Sequence, residues 1–590
     1  MNKQWTLTIL FLSLLFFASV HATLEYEVYF DGISDQKTSE LIRRASDTLK
    51  LQDRPPRSVG SLQQRAEKDI RLFLEVYHSL AHYNANIDLT LDDTVSPIQI
   101  LYNIEEGPIY PLIDFDFLPV DENDSFPYDC IRAQDLCMNL GAPAHPKDIL
   151  TAEELFVEVM ARMGYPLAVV HEREVLVDQT SKEVSVLFHV SSGPAAFFGP
   201  TTFIGNNTVC DYYLRKRLYW SKGDRYDPDK VNCTINSLES TGLFSAITIA
   251  HAPELSDEGY LPMTIQLKEG FHRSVGLGAS FDTQRGIGGG FEWEHRNIRG
   301  MGEKISTSAF AWQKRALASA LYVRPDFYTR GQDLLLLAEY ERETTKAFNE
   351  SAFSVSAAIE RQLTSCIRYS YGIMYKQLHN TKTDNDGDFN LVKFPVLLRW
   401  NNTDDPLNPC CGTSLQLKTI PTVEIFDEQF AYGITTLTAS MYRPLTNSCN
   451  TILAGKFLLG SIIGSNRKTI PGSERFYAGS ENTLRGYKFY TVSPLDGTGD
   501  PIGGRSLVVY STELRFRTTE NLGWVGFYDI GNVFEEPFPN FDRKLLQSVG
   551  VGLRYFTPVA PLRFDVAFPL NPRKGLDNNY QLYLSVGQAF

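Results

Sequence analysis

Few residues in this sequence have the types and spacing to do chemistry, and most of those fail on closer arithmetic. His171-Glu172-Arg173-Glu174 offers a histidine and acids but lacks the second histidine one helical turn on, which a zinc-protease helix requires. Its surroundings read as a strand. Asp384-Asn385-Asp386-Gly387-Asp388 has the composition of a calcium loop. With Gly387 at the sixth place, however, Lys382 and Lys393 fill the first and twelfth, where carboxylates belong. It is expected to be an external loop. No nucleophile elbow and no phosphate-cradling glycine loop occurs, so neither an enzyme nor a cofactor is expected. One concentration remains, in residues 465–505. Arg475-Phe476-Tyr477-Ala478-Gly479, Asn482-Thr483-Leu484-Arg485-Gly486-Tyr487 and Gly499-Asp500-Pro501-Ile502-Gly503-Gly504-Arg505 gather arginine, aromatics and glycine where a solvated loop would be polar. A connection of 41 residues with seven glycines is functional or disordered, and this composition argues for order.

The eight cysteines give no zinc pattern. Met1–Trp5 carries a lysine, Leu7–Phe17 is almost wholly apolar and Val20-His21-Ala22 suits a signal peptidase, so residues 1–22 are expected to be a secretory signal peptide. Export permits disulfides, and the near pairs Cys130/Cys137 and Cys210/Cys233 are the first candidates. Vicinal Cys410 and Cys411 cannot easily bridge each other, which leaves Cys366 and Cys449 as possible partners; connectivity stays open.

The elements that must position the loop follow from patterning. At 590 residues the chain needs several domains. A net charge of −14 argues against a general nucleic-acid binder, and the absence of long apolar runs past the leader excludes a helical membrane bundle. Residues 24–107 read β-α-α-β-β, with helices around Lys37–Leu51 and Ser61–His82 and strands near Ile87–Leu91 and Ile98–Ile104. The order returns from Ile109, with helices near Cys130 and over Asp148–Met163, and a third copy ends at Glu269-Gly270. Closing glycines at 107, 193 and 270 lie 86 and 77 residues apart, so three α+β units in series, 23–107, 108–193 and 194–270, are expected.

From Phe271 to Phe590 no convincing amphipathic helix appears and alternation takes over. Sixteen strands can be drafted, beginning near Phe271, Gly286, Glu303, Leu317, Gln332, Ala352, Ile367, Phe389, Gly412, Tyr432, Thr451, Ser506, Trp524, Leu545, Leu562 and Tyr580. About 20 residues per strand and connection suit membrane strands of about 9–11 residues. An even-numbered set in an exported chain implies a closed antiparallel β-barrel in the lipid bilayer of the bacterial outer membrane, because only closure satisfies every backbone group there. Leu582, Leu584, Val586 and Phe590 alternate to a terminal aromatic. Gly276 and Gly278 in the first strand and Gly587 in the last are expected to make a weak lateral seam, since glycine weakens a strand.

The three units resemble the polypeptide-transport-associated (POTRA) domains of outer-membrane assembly proteins, which would place them in the periplasm. Leu484-Arg485-Gly486-Tyr487 resembles the (V/I/L)RG(F/Y) loop motif of the BamA/TamA/two-partner-secretion superfamily. Gly499–Ser506 resembles its GDxxGG continuation, Phe527-Tyr528-Asp529-Ile530-Gly531 its FxDxG strand and Thr512-Glu513-Leu514-Arg515 the preceding acidic strand. Three repeats are most similar to the TamA-type members. The resemblance implies that the loop folds into the barrel, that Arg485 meets Asp529 and Glu513, and that Gly486 permits a tight turn with Tyr487 packed behind it. It further implies outer-membrane or autotransporter proteins as clients, an inner-membrane-anchored TamB-like partner, and insertion or secretion of β-rich chains through the seam without ATP. The alternatives are a dedicated two-partner pore for one exoprotein, and a passive porin on a structural stalk.

Overall fold

A computed structural model describes residues 24–282, 285–426, 429–446, 448–557 and 561–586. The expected signal peptide, Gly587 and Phe590 lie outside the described residues. The chain divides into two compact units, and the cut passes through the third small sheet. One unit holds the residues to Thr202 with Tyr219–Cys233 and Ile249–Ile265; the other holds Phe203–Leu218, Thr234–Thr248 and everything from Gln266.

Three small sheets share one topology. In the first, Tyr26–Asp31 pairs parallel with Ile98–Glu105, which pairs antiparallel with Asn86–Asp92. In the second the central strand is Glu183–Ser191, flanked by Leu112–Pro119 and Val169–Asp178. In the third it is Leu261–Glu269, between Phe198–Ile204 and Phe244–His251. Each central strand alternates fully, as in Ile98, Ile100, Tyr102 and Ile104, all buried. Against the first sheet lies the helix Val59–Ser79, whose Leu62, Ala66, Asp69, Phe73 and Tyr77 are buried at helical spacing. Asp69 is the one charge in that stripe. It accepts Ser46 Oγ–H at 2.6 Å and the Asp47 and Thr48 N–H groups at 2.9 and 3.0 Å, capping the short helix Asp47–Lys50. Ser46 therefore breaks the single helix expected over Lys37–Leu51 into two, Gln36–Ala45 and Asp47–Lys50.

The helix expected near Cys130 is replaced by two 3₁₀ turns, Tyr128–Cys130 and Ala133–Leu136, because Pro127 opens the first and Cys137, at φ 55°, closes the second in the left-handed region. The two cysteines therefore end different turns and stay unbonded. Cys210, at the N-cap of helix Asp211–Arg217, turns its sulfur to the Arg299 carbonyl, and Cys233 sits within helix Pro228–Glu239. The pairs Cys130/Cys137 and Cys210/Cys233 are thus corrected to free thiols, and the disulfide joins Cys410 to Cys449.

A clasp recurs in the three repeats. In the first, Glu106 at the end of the central strand accepts the Ser34 N–H at 3.1 Å and Oγ–H at 2.5 Å. In the third, Glu269 accepts Thr208 N–H at 2.8 Å and Oγ1–H at 2.6 Å. In the second the partners exchange roles: Ser192 ends the strand and Asp124 supplies the acid from the loop, accepting Ser192 N–H and Oγ–H, both at 2.8 Å.

From Arg273 a single antiparallel sheet of 17 strand segments runs to Val586. Gly387–Lys393 and Val396–Asn401 both pair with Ile367–Thr381 and both with Gly412–Glu424, so they are one strand interrupted at Phe394-Pro395. Proline lacks the ladder N–H, which explains the interruption. The sheet thus makes about sixteen crossings. Its first and last strands, Arg273–Asp282 and Gln581–Val586, approach with Cα atoms within 8 Å, and no ladder joins them among the described residues. Alternation sorts the two faces. In Leu562–Pro569, Arg563, Asp565 and Ala567 are buried while Leu562, Phe564 and Phe568 are exposed.

Candidate functional site

Residues 465–505 lie against the buried face of this sheet, and two buried arginines of their own are among their anchors. The first is Arg485, 1% exposed. Its Nε and Nη2 donate to Asp529 Oδ2 and Oδ1 at 2.7 and 2.8 Å, a bidentate fork, and its own N–H donates to Oδ2 at 3.1 Å. Nη1 donates to Glu513 Oε1 at 2.7 Å and lies 3.5 Å from Asp565 Oδ2. The guanidinium also stands 3.5 Å above the centre of the Phe527 ring. All three acids are fully buried.

Neighbouring arginines keep this cluster near neutrality. Arg515 pairs with Glu513 at 2.9 Å, Arg554 with Asp565 at 2.5 Å and Arg563 with Glu481 at 2.9 Å. Four guanidiniums thus meet four carboxylates, an arrangement that answers the desolvation of each ion.

The strands make room for it by omission. A Cβ at Gly550 would stand 2.2 Å from Phe527, and one at Gly552 2.0 Å from Asp565 Oδ1. Gly486 turns at φ 89°, in the left-handed region, and its N–H donates to the Tyr583 hydroxyl at 2.9 Å. Tyr487 follows, with its hydroxyl donating to Gln547 O at 2.8 Å or Asn571 Oδ1 at 2.7 Å. Gly531 lies two residues beyond Asp529, outside the lock; a Cβ there would meet Val508 O at 2.4 Å, so it permits close strand approach.

The second anchor is Arg475. It donates to Ile470 O from Nε and Nη2 at 3.0 and 2.8 Å, to Ile502 O at 2.8 Å and to Asp384 at 2.5 Å. Asp384 also pairs with Arg467 at 2.6 Å, so the acidic turn holds the long loop. Beside it Glu474 bridges Lys376 and Lys393 at 3.1 and 2.5 Å.

The geometry therefore brings Arg485, Gly486, Tyr487, Glu513 and Asp529 together. Gly276 and Gly278 lie on the first strand opposite Glu292 and Gly290, away from the lock. Sequence reasoning did not find Asp565, Arg554 and Tyr583; the alternation of Arg563 and Asp565 against Leu562, Phe564 and Phe568 was the available signal. An arginine clamped by acids from three separate strands has its donors engaged within the protein. It fixes a loop inside a sheet.

Residues 297–590 match the Omp85 superfamily domain. Residues 196–270 match a POTRA model described as a surface antigen variable number repeat. The outer membrane protein assembly factor BamA of Nitratidesulfovibrio vulgaris is 24% identical over 530 residues, covering 84% of this chain and 64% of that protein. BamA of Neisseria meningitidis serogroup B is 23% identical over 501 residues, covering 73% and 62%. The chain thus spans less than two thirds of the length of these curated relatives. The crystal structure of BamA from Haemophilus ducreyi lacking POTRA domains 1–3 superposes with a TM-score of 0.70 at 18% identity, over 81% of this chain and all of that one, and so shares the fold.

Proposed function

We propose that the chain is an outer-membrane assembly factor that inserts or helps to secrete β-rich clients, with its three small units in the periplasm and its large sheet closed as a barrel in the membrane. The Arg485 lock carries this reading. It fastens the long loop to the C-terminal strands of the sheet, through Asp529, Glu513 and Asp565. A passive pore has no use for a loop held across its interior by fully buried ions, since replacing such ions with apolar groups is often neutral or stabilising. The first strand, meanwhile, has no ladder partner on its outer side among the described residues. A client strand adding there would make main-chain bonds with little sequence demand and without ATP.

The relatives named above are assembly factors called BamA. The motif resemblance extends to a TamA-type member working with an inner-membrane-anchored TamB-like protein, and affinity purification of the chain from membranes tests that partner. The function itself is tested by depleting the protein and comparing outer-membrane composition. Loss of β-barrel or autotransporter proteins supports it, and an unchanged composition with one missing exoprotein would favour a dedicated secretion pore.

A further inference from the structure

A cavity of about 420 Å³ opens beside the lock. Four of its lining residues are lysines: Lys314, Lys346, Lys382 and Lys488. The first three come from the connections after the strands Lys304–Trp312, Gln332–Thr344 and Ile367–Thr381, which in an antiparallel sheet all fall at the end opposite Arg273. Lys488 belongs to the long loop, three residues beyond Arg485. No carboxylate is among the described lining residues. Four ammonium groups around one cavity repel one another, and an anion seated between them removes that repulsion. Gln581 also lines the cavity, and its Nε2, a further donor, is buried without a hydrogen-bond partner among the described residues.

The border of the cavity indicates where such an anion comes from. Leu582 and Tyr583 both line it, although Tyr583 is buried on the inner face and Leu582 is 40% exposed on the outer one. Successive residues of a strand face opposite sides, so a cavity touching both reaches round the edge of the last strand. That edge faces lipid if the sheet spans the membrane.

We propose that this cavity binds the phosphorylated headgroup of an outer-leaflet lipid, entered from the edge of the last strand, and that the bound headgroup steadies the long loop through Lys488. The proposal rests on the membrane reading above. The size fits, because small-molecule sites occupy about 300–1,000 Å³.

The full chain is reconstituted into vesicles of phosphatidylcholine alone, or phosphatidylcholine with bis-phosphorylated lipid A, then released in mild detergent and weighed by native mass spectrometry. Wild type should retain lipid A and not phosphatidylcholine. The Lys346→Gln/Lys382→Gln/Lys488→Gln variant should weaken retention by about 100-fold, about five-fold per charge, while the triple Lys→Arg variant retains it. Equal retention by wild type and the glutamine variant, or retention of phosphatidylcholine as strongly as lipid A, would overturn the site. Displacement by equimolar inorganic phosphate would overturn the lipid source in favour of a soluble anion. Flotation of both proteins with phosphatidylcholine vesicles tests membrane insertion separately, so failure there refutes the membrane reading instead.

Discussion

Replacing Arg485 with alanine should release the long loop and leave the sheet folded. The guanidinium and its own N–H make three hydrogen bonds to Asp529, and Nη1 makes one to Glu513. Among the named partners, Asp529 would keep only the backbone N–H of residue 485, whereas Glu513 retains Arg515 and Asp565 retains Arg554. Removing one partner of a buried pair costs about 3–5 kcal/mol because the other charge is left uncompensated. At about 1.4 kcal/mol per decade, loss of 4 kcal/mol lowers the occupancy constant of the docked loop by almost a thousand-fold. The strand ladders are untouched, so the protein should still run faster on a gel unboiled than boiled. A cysteine placed at Leu484, fully buried beside the lock, reports the loop. With the native free cysteines replaced by serine, it should resist a maleimide while Arg485 is present and react in the Arg485→Ala background. Arg485→Lys should fall between, keeping the charge and losing the fork. If the alanine variant protects Leu484→Cys fully and complements a depletion strain normally, the lock neither holds the loop nor serves assembly.

Other expectations follow from the same geometry. Gly552→Ala places a Cβ 2.0 Å from Asp565 Oδ1, so it should expose the Leu484→Cys reporter without touching the loop itself; an unreactive reporter counts against the role given to Asp565. Arg475→Ala should loosen the other end, measured as faster trypsin cleavage at Lys468 with heat-modifiable migration retained. Joining Leu277→Cys to Leu584→Cys, both on exposed faces of the edge strands, should stop client insertion under oxidising conditions and recover with reductant; full activity of a demonstrably crosslinked protein would move the client path elsewhere. For Asp124, burial pushes the carboxyl up, but the Ser192 N–H with the Tyr128, Phe126 and Ser192 donors outweighs it and holds the group below its ordinary value of 3.8. A depressed folded value stabilises above the unfolded one and is lost as pH falls through it. Asp124→Asn should therefore lower the unfolding temperature at pH 7, by an amount that shrinks as the pH is taken progressively below 3.8, as calorimetry of the full chain would record.

Much of the sheet was legible because alternation is a local property. The drafted starts at Gly286, Gln332, Ile367, Gly412, Thr451, Ser506 and Leu562 coincide with those of the folded strands. The start drafted at Ala352 instead falls at Asn349, because Asn349 and Glu350 have the polarity of a turn yet pair with Thr381 and Asn380. Glu350 is then kept buried by Lys376 at 2.9 Å, a partner distant in sequence. The disulfide, whose Cys449 the sequence offered only as one of two possible partners for Cys410 or Cys411, stayed open for a related reason. Sequence proximity suggested Cys130/Cys137, but these end separate turns, whereas Cys410 and Cys449, 39 residues apart, lie just outside Gly412 and Thr451, at the same end of the strands that flank Ala431–Pro444.

The lock divides along the same line. Arg485 and Asp529 sit in motifs whose neighbours are unusual, so composition alone draws attention to them. Asp565 sits in Arg563-Phe564-Asp565-Val566, where a charged residue on an alternating strand is ordinary. Its importance comes from what faces it across the sheet: Gly552 directly opposite on one side and Tyr583 on the other. The tyrosine hydroxyl reaches Gly486 N, and the empty glycine position gives Asp565 space to meet Arg554 and approach Arg485. Each of these residues is unremarkable where it stands in the chain, and only register joins them. A one-residue slip in any of these three strands would turn Asp565, Gly552 or Tyr583 outward. The pairing of the last strands therefore positions the loop as directly as the arginine does, and a client that displaced the last strand would disturb Tyr583 and the Gly486 turn it supports.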